Sequence, residues 1–303
     1  MNELALLGIC TVLLVVAVAR LTVLRISRPL RRLAETMSEM TRTGELESAF
    51  PSRAGGNRDV RRIEETFRAL LVSLEDSRRA RERSYVEAVG AVVTAADARD
   101  HDTSGHSFRV ALYALALARA LRLPAGTLQA IEWGALLHDV GKMAVPDGIL
   151  RKPGPLTDNE WHIMKQHPTW GFDMLAEVSF LQPVAIDIVY SHHERWDGQG
   201  YPRRLAGEQI PLSARLFAVV DTYDAITSER PYRRARSHAA AIAELQKVAG
   251  HQLDPAMVET FRTLSEIDLR HLTDRGSRAH PGLSLPAELL DSLIDPKPEA
   301  LRG

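Results

Sequence analysis

The chain has a single cysteine, Cys10, among 303 residues, so no internal disulfide can staple it. Cys10 lies in an apolar stretch, and the absence of a disulfide framework fits a cytosolic working part. The chain also lacks an excess of either charge: 38 basic against 39 acidic side chains leave a net charge of -1. Proteins that grip nucleic-acid polymers through phosphates carry a basic surplus, so no such polymer is expected as a partner. After residue 83 no segment alternates convincingly between apolar and polar residues, which removes the usual signature of half-buried strands. What is present, 45% hydrophobic and 25% charged residues, is ordinary for a globular protein with one large domain or two smaller ones.

No basic residue precedes the first apolar run. Leu4 to Ala19 is uncharged, and after Arg20 the run resumes to Leu24. About 20 residues at helical rise cover roughly 30 Å, the thickness of a bilayer core. A cleaved signal peptide has a basic region ahead of its apolar run, and here there are only Asn2 and Glu3. Residues 4–24 are therefore expected to span the membrane, a buried soluble helix being the alternative. Arg20 can snorkel to the interface. Arg25, Arg28, Arg31 and Arg32 follow the span, so the positive-inside rule puts the rest of the chain in the cytoplasm. The expected location is the inner (cytoplasmic) membrane, with a single pass and no extracytoplasmic sensor domain within this chain.

Residues 28–83 are charged and helical in pattern. Pro29 can open a helix, and Leu30, Leu33, Met37 and Met40 follow at helical spacing. Gly44, Pro51 and Gly55-Gly56 interrupt it. A second stripe then runs through Val60, Ile63, Phe67, Leu70, Leu71 and Leu74. Two short amphipathic helices cannot bury their stripes alone, so a parallel homodimer with a four-helix bundle is expected. Proline, helix, glycine-containing connector and helix together resemble a HAMP domain. Arg58-Asp59-Val60 departs from that family's glutamate at the start of the second helix, and a plain coiled-coil stalk is the alternative.

From Arg83 to about residue 265 the chain reads as helix after helix. Thr157 and Glu160 form a capping box before Trp161, Met164 and the helix carrying His167. Pro183 and Asp254-Pro255 open two later helices. The expected fold is an all-α bundle, a scaffold that builds metal sites from side chains on facing helices. Candidate ligands are His106, the pair His138-Asp139, His167, the pair His192-His193, and Asp221. Imidazoles and carboxylates together suit iron, manganese or zinc, and this set exceeds the needs of one ion. An aspartate beside a histidine can bridge two ions, which can hold a bridging hydroxide and neutralise charge on an attacked phosphate. His101, His162, His238, His251, His271 and His280 are read as ordinary surface or hydrogen-bonded histidines.

Four stretches carry more than ligands: GALLHDVGKMAVPDGILRK at 134–152, KQHP at 165–168, SHHERWDGQGYP at 191–202 and DTYDAITSERPYR at 221–233. Together they resemble the HD-GYP family of cyclic di-GMP phosphodiesterases, a branch of the HD superfamily of metal-dependent phosphohydrolases, over about 180 residues. The resemblance implies an HD-superfamily helical bundle with metal ligands at His106, His138, Asp139, His167, His192, His193 and Asp221. It implies a catalytic centre at Asp139 and Lys142, the lysine stabilising charge on phosphorus. Gly200, Tyr201 and Pro202 match the signature triplet and would shape the substrate pocket. Arg230 and Arg233 match positions that contact substrate phosphate; Arg233 is equally placed to be a solvated helix-end charge. Some members use a carboxylate four residues before the first histidine to hold a third ion. Here that residue is Asp102, shorter than the usual glutamate and equally able to cap the helix with Thr103 or Ser104.

The resulting layout is a transmembrane helix at 1–27, a HAMP-like linker at 28–83, a catalytic domain at 84–270 and a tail at 271–303 with one short helix near Leu285 to Ile294. The resemblance implies hydrolysis of cyclic di-GMP to linear pGpG or to GMP, with two divalent ions and a third if Asp102 reaches one. Mixed cyclic GMP-AMP stays open as substrate. The other readings are a silent cyclic-dinucleotide receptor and a module that docks a diguanylate cyclase. Substituting Asp139 by alanine would separate them.

Overall fold

The computed structural model describes residues 3–28, 30–31, 34–35, 38, 58–99, 105–229, 234–264, 266 and 269. Asp102, Arg230 and Arg233 lie outside the described residues, as do most of the first linker helix, its glycine-containing connector and the expected tail helix. The chain divides into two compact units, residues 1–84 and 85–303.

In the first unit α1 (Glu3–Thr22) continues into a π-helical turn, Val23–Ser27. The 21-residue stretch Leu7–Ser27 holds an 18-residue window of mean hydropathy 2.5, none of it buried. By length and composition this helix can cross a membrane; a signal sequence passes the same test. The long helix α2 (Arg58–Arg99) follows. Ile63, Leu70 and Leu74, from the apolar stripe of its first half, are exposed, as a stripe awaiting a partner would be.

The second unit takes the end of α2 and adds α3 (His106–Ala120), α4 (Ala125–Leu137), α5 (Asp147–Leu150), α6 (Asp158–Met164) and α7 (His167–Leu175). It is completed by α8 (Pro183–Ser191), α9 (Leu212–Thr227), α10 (His238–Val248) and α11 (Pro255–Arg262). Among the described residues there is no strand, only two isolated bridges, Asp197 with Ala206 and Ala249 with Leu253. The all-α expectation holds. Every residue of α3 from Val110 to Ala118 is buried, so this helix is wrapped on all sides and shows no amphipathic period. It packs on α4, α9 and α11, while α8 packs on α4, α7 and α9. Leu112, Leu115, Ile131, Ile188, Phe217 and Phe261 lose essentially all contact with solvent, each worth roughly 1.5–3 kcal/mol of burial.

The expected helix starts are present. Thr157 and Glu160 close a reciprocal capping box on α6, Pro183 sits in the first turn of α8, and the Asp254 carboxylate accepts from the amides of Ala256 and Met257. One expectation needs correction. The helix that Thr157 caps does not carry His167: it ends at Met164, and His167 begins α7. Pro168 is the reason, because it has no N–H to donate and its ring collides with the carbonyl four residues back. A new first turn tolerates both defects.

Candidate metal centre

His106 is the first residue of α3, His138 caps the end of α4, His167 opens α7, His192 caps the end of α8, and Asp221 lies within α9. Helix ends place ligands well because the final turn leaves main-chain carbonyls unpaired. Three histidines use such carbonyls. The Nδ1 of His138 lies 2.7 Å from the Ala135 carbonyl oxygen, that of His167 2.8 Å from Met164, and that of His192 3.0 Å from Val189. A carbonyl can only accept, so each Nδ1 carries the proton and each Nε2 keeps its lone pair.

Those Nε2 atoms converge on Asp139. Its Oδ2 lies 3.1 Å from His138, and its Oδ1 lies 3.2 Å from His167 and 3.7 Å from His192. Asp139 thereby belongs to two groups of potential ligands, one with His167, His192 and His193 and the other with His106 and His138. The Nε2 atoms of His167 and His192 face each other at 3.1 Å. Two lone pairs at that distance repel unless a cation lies between them. Burial pushes His192 down to about 4, and burial with the neighbouring imidazoles lowers His193 as well, which favours their neutral forms with lone pairs to offer. The donor set fits divalent metal: borderline nitrogen ligands, a shared carboxylate and preset tautomers.

Lys142 follows on the 3-10 turn Val140–Ala144, with its Nζ 2.8 Å from Asp139 Oδ2. Burial opposes ionisation of Asp139, but the adjoining His138 imidazole and the Lys142 ammonium outweigh it and hold the carboxyl well below its usual range. Gly141 is required between them. A β-carbon there would overlap the His167 carbonyl oxygen and come within 2.5 Å of the Gly171 amide, so the missing side chain lets the turn lie directly on the start of α7.

Sequence reasoning missed Asp224. This buried carboxylate lies 2.7 Å from His106 Nδ1 and accepts from Arg109 Nε at 2.7 Å, while Asp221 lies 3.3 Å from His106 Nε2. Burial works against charge on His106, but its hydrogen bonds to Asp221 and Asp224 prevail and raise it to about 10. The available signal was the D-x-x-D spacing of Asp221 and Asp224, which puts both on one face of α9. Asp224 orients the ring whose far nitrogen is the candidate ligand. Asp224→Ala is expected to weaken metal binding by about 10- to 100-fold, measured by metal titration; unchanged affinity would show that His106 needs no such support.

The signature loop is held by Glu194, which is buried and accepts from the amides of Arg203 at 2.7 Å and Leu205 at 3.0 Å. Gly200 packs so closely that a β-carbon would lie 2.5 Å from Glu194 Cα. Tyr201 stacks on His193 with ring centroids 4.7 Å apart. His106, His138, Asp139, Lys142, His167, His192, His193, Asp221 and Tyr201 line one pocket of about 380 Å³, together with Leu150, Leu156, Trp161, Met164 and Ala225. Gly200 and Pro202 shape the turn beside it without lining it. Of the histidines set aside, His238 bonds the Tyr223 hydroxyl at 2.9 Å.

A family profile described as the HD domain matches residues 91–257, more than half of the chain. The chain belongs to the HD-domain family. It is 41% identical over 212 residues to a cyclic di-GMP phosphodiesterase of Vibrio cholerae, covering 65% of this chain and 43% of that protein. A 3'3'-cGAMP-specific phosphodiesterase from the same organism is 40% identical over 174 residues, covering 57% of this chain and 33% of that protein. This HD-domain chain thus spans less than half the length of those relatives. Among solved structures, a cyclic GMP-AMP specific phosphodiesterase of V. cholerae shares the fold, with a TM-score of 0.52, 21% identity and coverage of 70% of this chain and 60% of that one.

Proposed function

We propose that this HD-domain protein is a membrane-anchored, metal-dependent phosphodiesterase that hydrolyses cyclic di-GMP to linear pGpG, GMP or both. One observation carries the reading: a single carboxylate, Asp139, is shared between two groups of nitrogen ligands with Lys142 beside it in one pocket. Two divalent ions bound there, iron or manganese before zinc, would acidify water and neutralise charge on an attacked phosphate. His138, His167 and His192 offer preset Nε2 lone pairs, and Asp221 supplies a second carboxylate held ionised by His106. Lys142, beside Asp139, would offer its positive charge to an oxygen of the attacked phosphate. Tyr201 and the loop behind it close one side of the pocket. Arg230 and Arg233 are proposed as further phosphate contacts, and Asp102 as the ligand of a third ion.

The substrate class is supported by the cyclic di-GMP phosphodiesterase relative. The cGAMP-specific relative, at nearly the same identity, favours a second reading, mixed cyclic GMP-AMP. The proposed layout is a membrane span at 1–27, a HAMP-like dimerising linker at 28–83, a cytoplasmic catalytic domain at 84–270 and a tail at 271–303, with a diguanylate cyclase as the proposed docking partner.

The test is turnover of both cyclic dinucleotides by the full chain, purified in detergent without oxygen, with metal content measured on the same sample. Cleavage of cyclic di-GMP by protein holding two or more ions is the expected result. Preference for the mixed dinucleotide would reassign the substrate. Inertness towards both with metal in place would leave a receptor or docking role.

A further inference from the structure

The pocket lining has two chemistries. One part is the cluster of histidines and carboxylates. The other is apolar and, Ala225 of α9 apart, comes from one stretch of chain, with Leu150 at the end of α5, Leu156 in the connector, and Trp161 and Met164 on α6. Trp161 is the unusual member. It is 46% exposed although it lines a concave site, and its indole has no ring partner among the described residues. An aromatic side chain left half open in a pocket contributes little to the core and presents a flat apolar face.

That face is built in advance. Trp161 lies in the first turn of α6, where its amide donates to the Thr157 carbonyl at 2.8 Å. The capping box of Thr157 and Glu160 fixes the turn, and Lys152 Nζ adds an ion pair to Glu160 at 2.6 Å. The volume of about 380 Å³ falls in the range of small-molecule sites. A ligand that joins anionic phosphate to a flat heteroaromatic ring matches both parts of such a lining.

We propose that Trp161, with Leu156 and Met164 beside it, is a stacking subsite that takes the face of a purine base whose phosphate reaches Lys142 and the metal centre. This rests on the phosphodiesterase reading and adds to it a residue that governs affinity for the base. Stacking tolerates any base, so Trp161 discriminates nucleotides from simple phosphoesters while leaving guanine and adenine nearly equal.

The experiment uses the full chain in detergent, loaded with manganese, and calorimetric titration with GMP and separately with inorganic phosphate. Trp161→Ala is expected to weaken GMP binding about 10-fold or more, with phosphate affinity and metal content unchanged. Trp161→Phe, which keeps a ring, is expected to retain most of the GMP affinity. In turnover, Trp161→Ala should raise KM for the cyclic dinucleotide far more than it lowers kcat. GMP binding unchanged in Trp161→Ala, with phosphate still bound, would overturn the subsite and leave the phosphodiesterase reading standing. Equal losses of GMP, phosphate and metal would overturn it in favour of a structural role. Failure of the unaltered, metal-loaded protein to bind either ligand would remove both readings.

Discussion

Asp139→Ala is expected to abolish turnover, with a fall of about 10³-fold or more, because one substitution would disable both halves of the proposed metal centre. Its two oxygens lie within 3.1–3.7 Å of the Nε2 atoms of His138, His167 and His192, and it also pairs with Lys142. No other side chain belongs to both groups of potential ligands among the described residues. Without the carboxylate, a cluster of imidazoles and a lysine would have to accept divalent cations with one negative charge fewer, and residues that act as a unit fail together. The overall fold should persist, since Asp139 caps no long helix and contributes nothing to the apolar core. The measurement is metal stoichiometry beside kcat, with circular dichroism on the same sample. Full metal content and turnover within 10-fold of the unaltered protein would show that the reactive centre lies elsewhere. Lost turnover with the cellular phenotype retained would favour a docking role.

Gly141→Ala is expected to destabilise the protein by about 2–3 kcal/mol, as overpacking of a closed contact does. The added methyl would overlap the His167 carbonyl and press on the Gly171 amide. Both belong to α7, so relief requires α7 to move away from the turn that carries Lys142. His167 would move with it, and metal affinity should fall alongside stability. Gly148→Ala is the control, because a β-carbon at Gly148 meets nothing within 4 Å. Urea unfolding and metal titration of both variants give the comparison. A Gly141→Ala protein as stable as the control would mean that the turn and α7 are not in tight contact.

Much of this was legible because the informative regularities are local. Capping residues act over three or four positions, so Thr157-Glu160, Pro183 and Asp254-Pro255 announced their helices. The paired His138-Asp139 and His192-His193 stood out as doubled ligands. The all-α fold followed from helix signals without alternation. The break before His167 could have been read from Pro168 alone, since the rule against proline inside a helix is equally local. Asp224 and Gly141 were harder. A lone aspartate one turn after a proposed ligand looks like any solvated helix charge, and a glycine inside a motif gives no hint of what it touches.

The sequence by itself determined the helical class, the starts of the helices at Thr157, Pro183 and Asp254, an apolar N-terminal segment long enough for a membrane, and the identities of the candidate ligands. Only the tertiary structure decided which atoms meet. It placed Asp224 behind His106 across 118 positions of chain, set the Nε2 atoms of His167 and His192 face to face across 25 positions, and added an apolar wall with Trp161 to the same pocket. The physical reason is range. Propensity and capping act within a turn or two of helix, whereas convergence of distant side chains depends on how α3, α4, α8 and α9 pack around a shared core, which no short window of sequence contains.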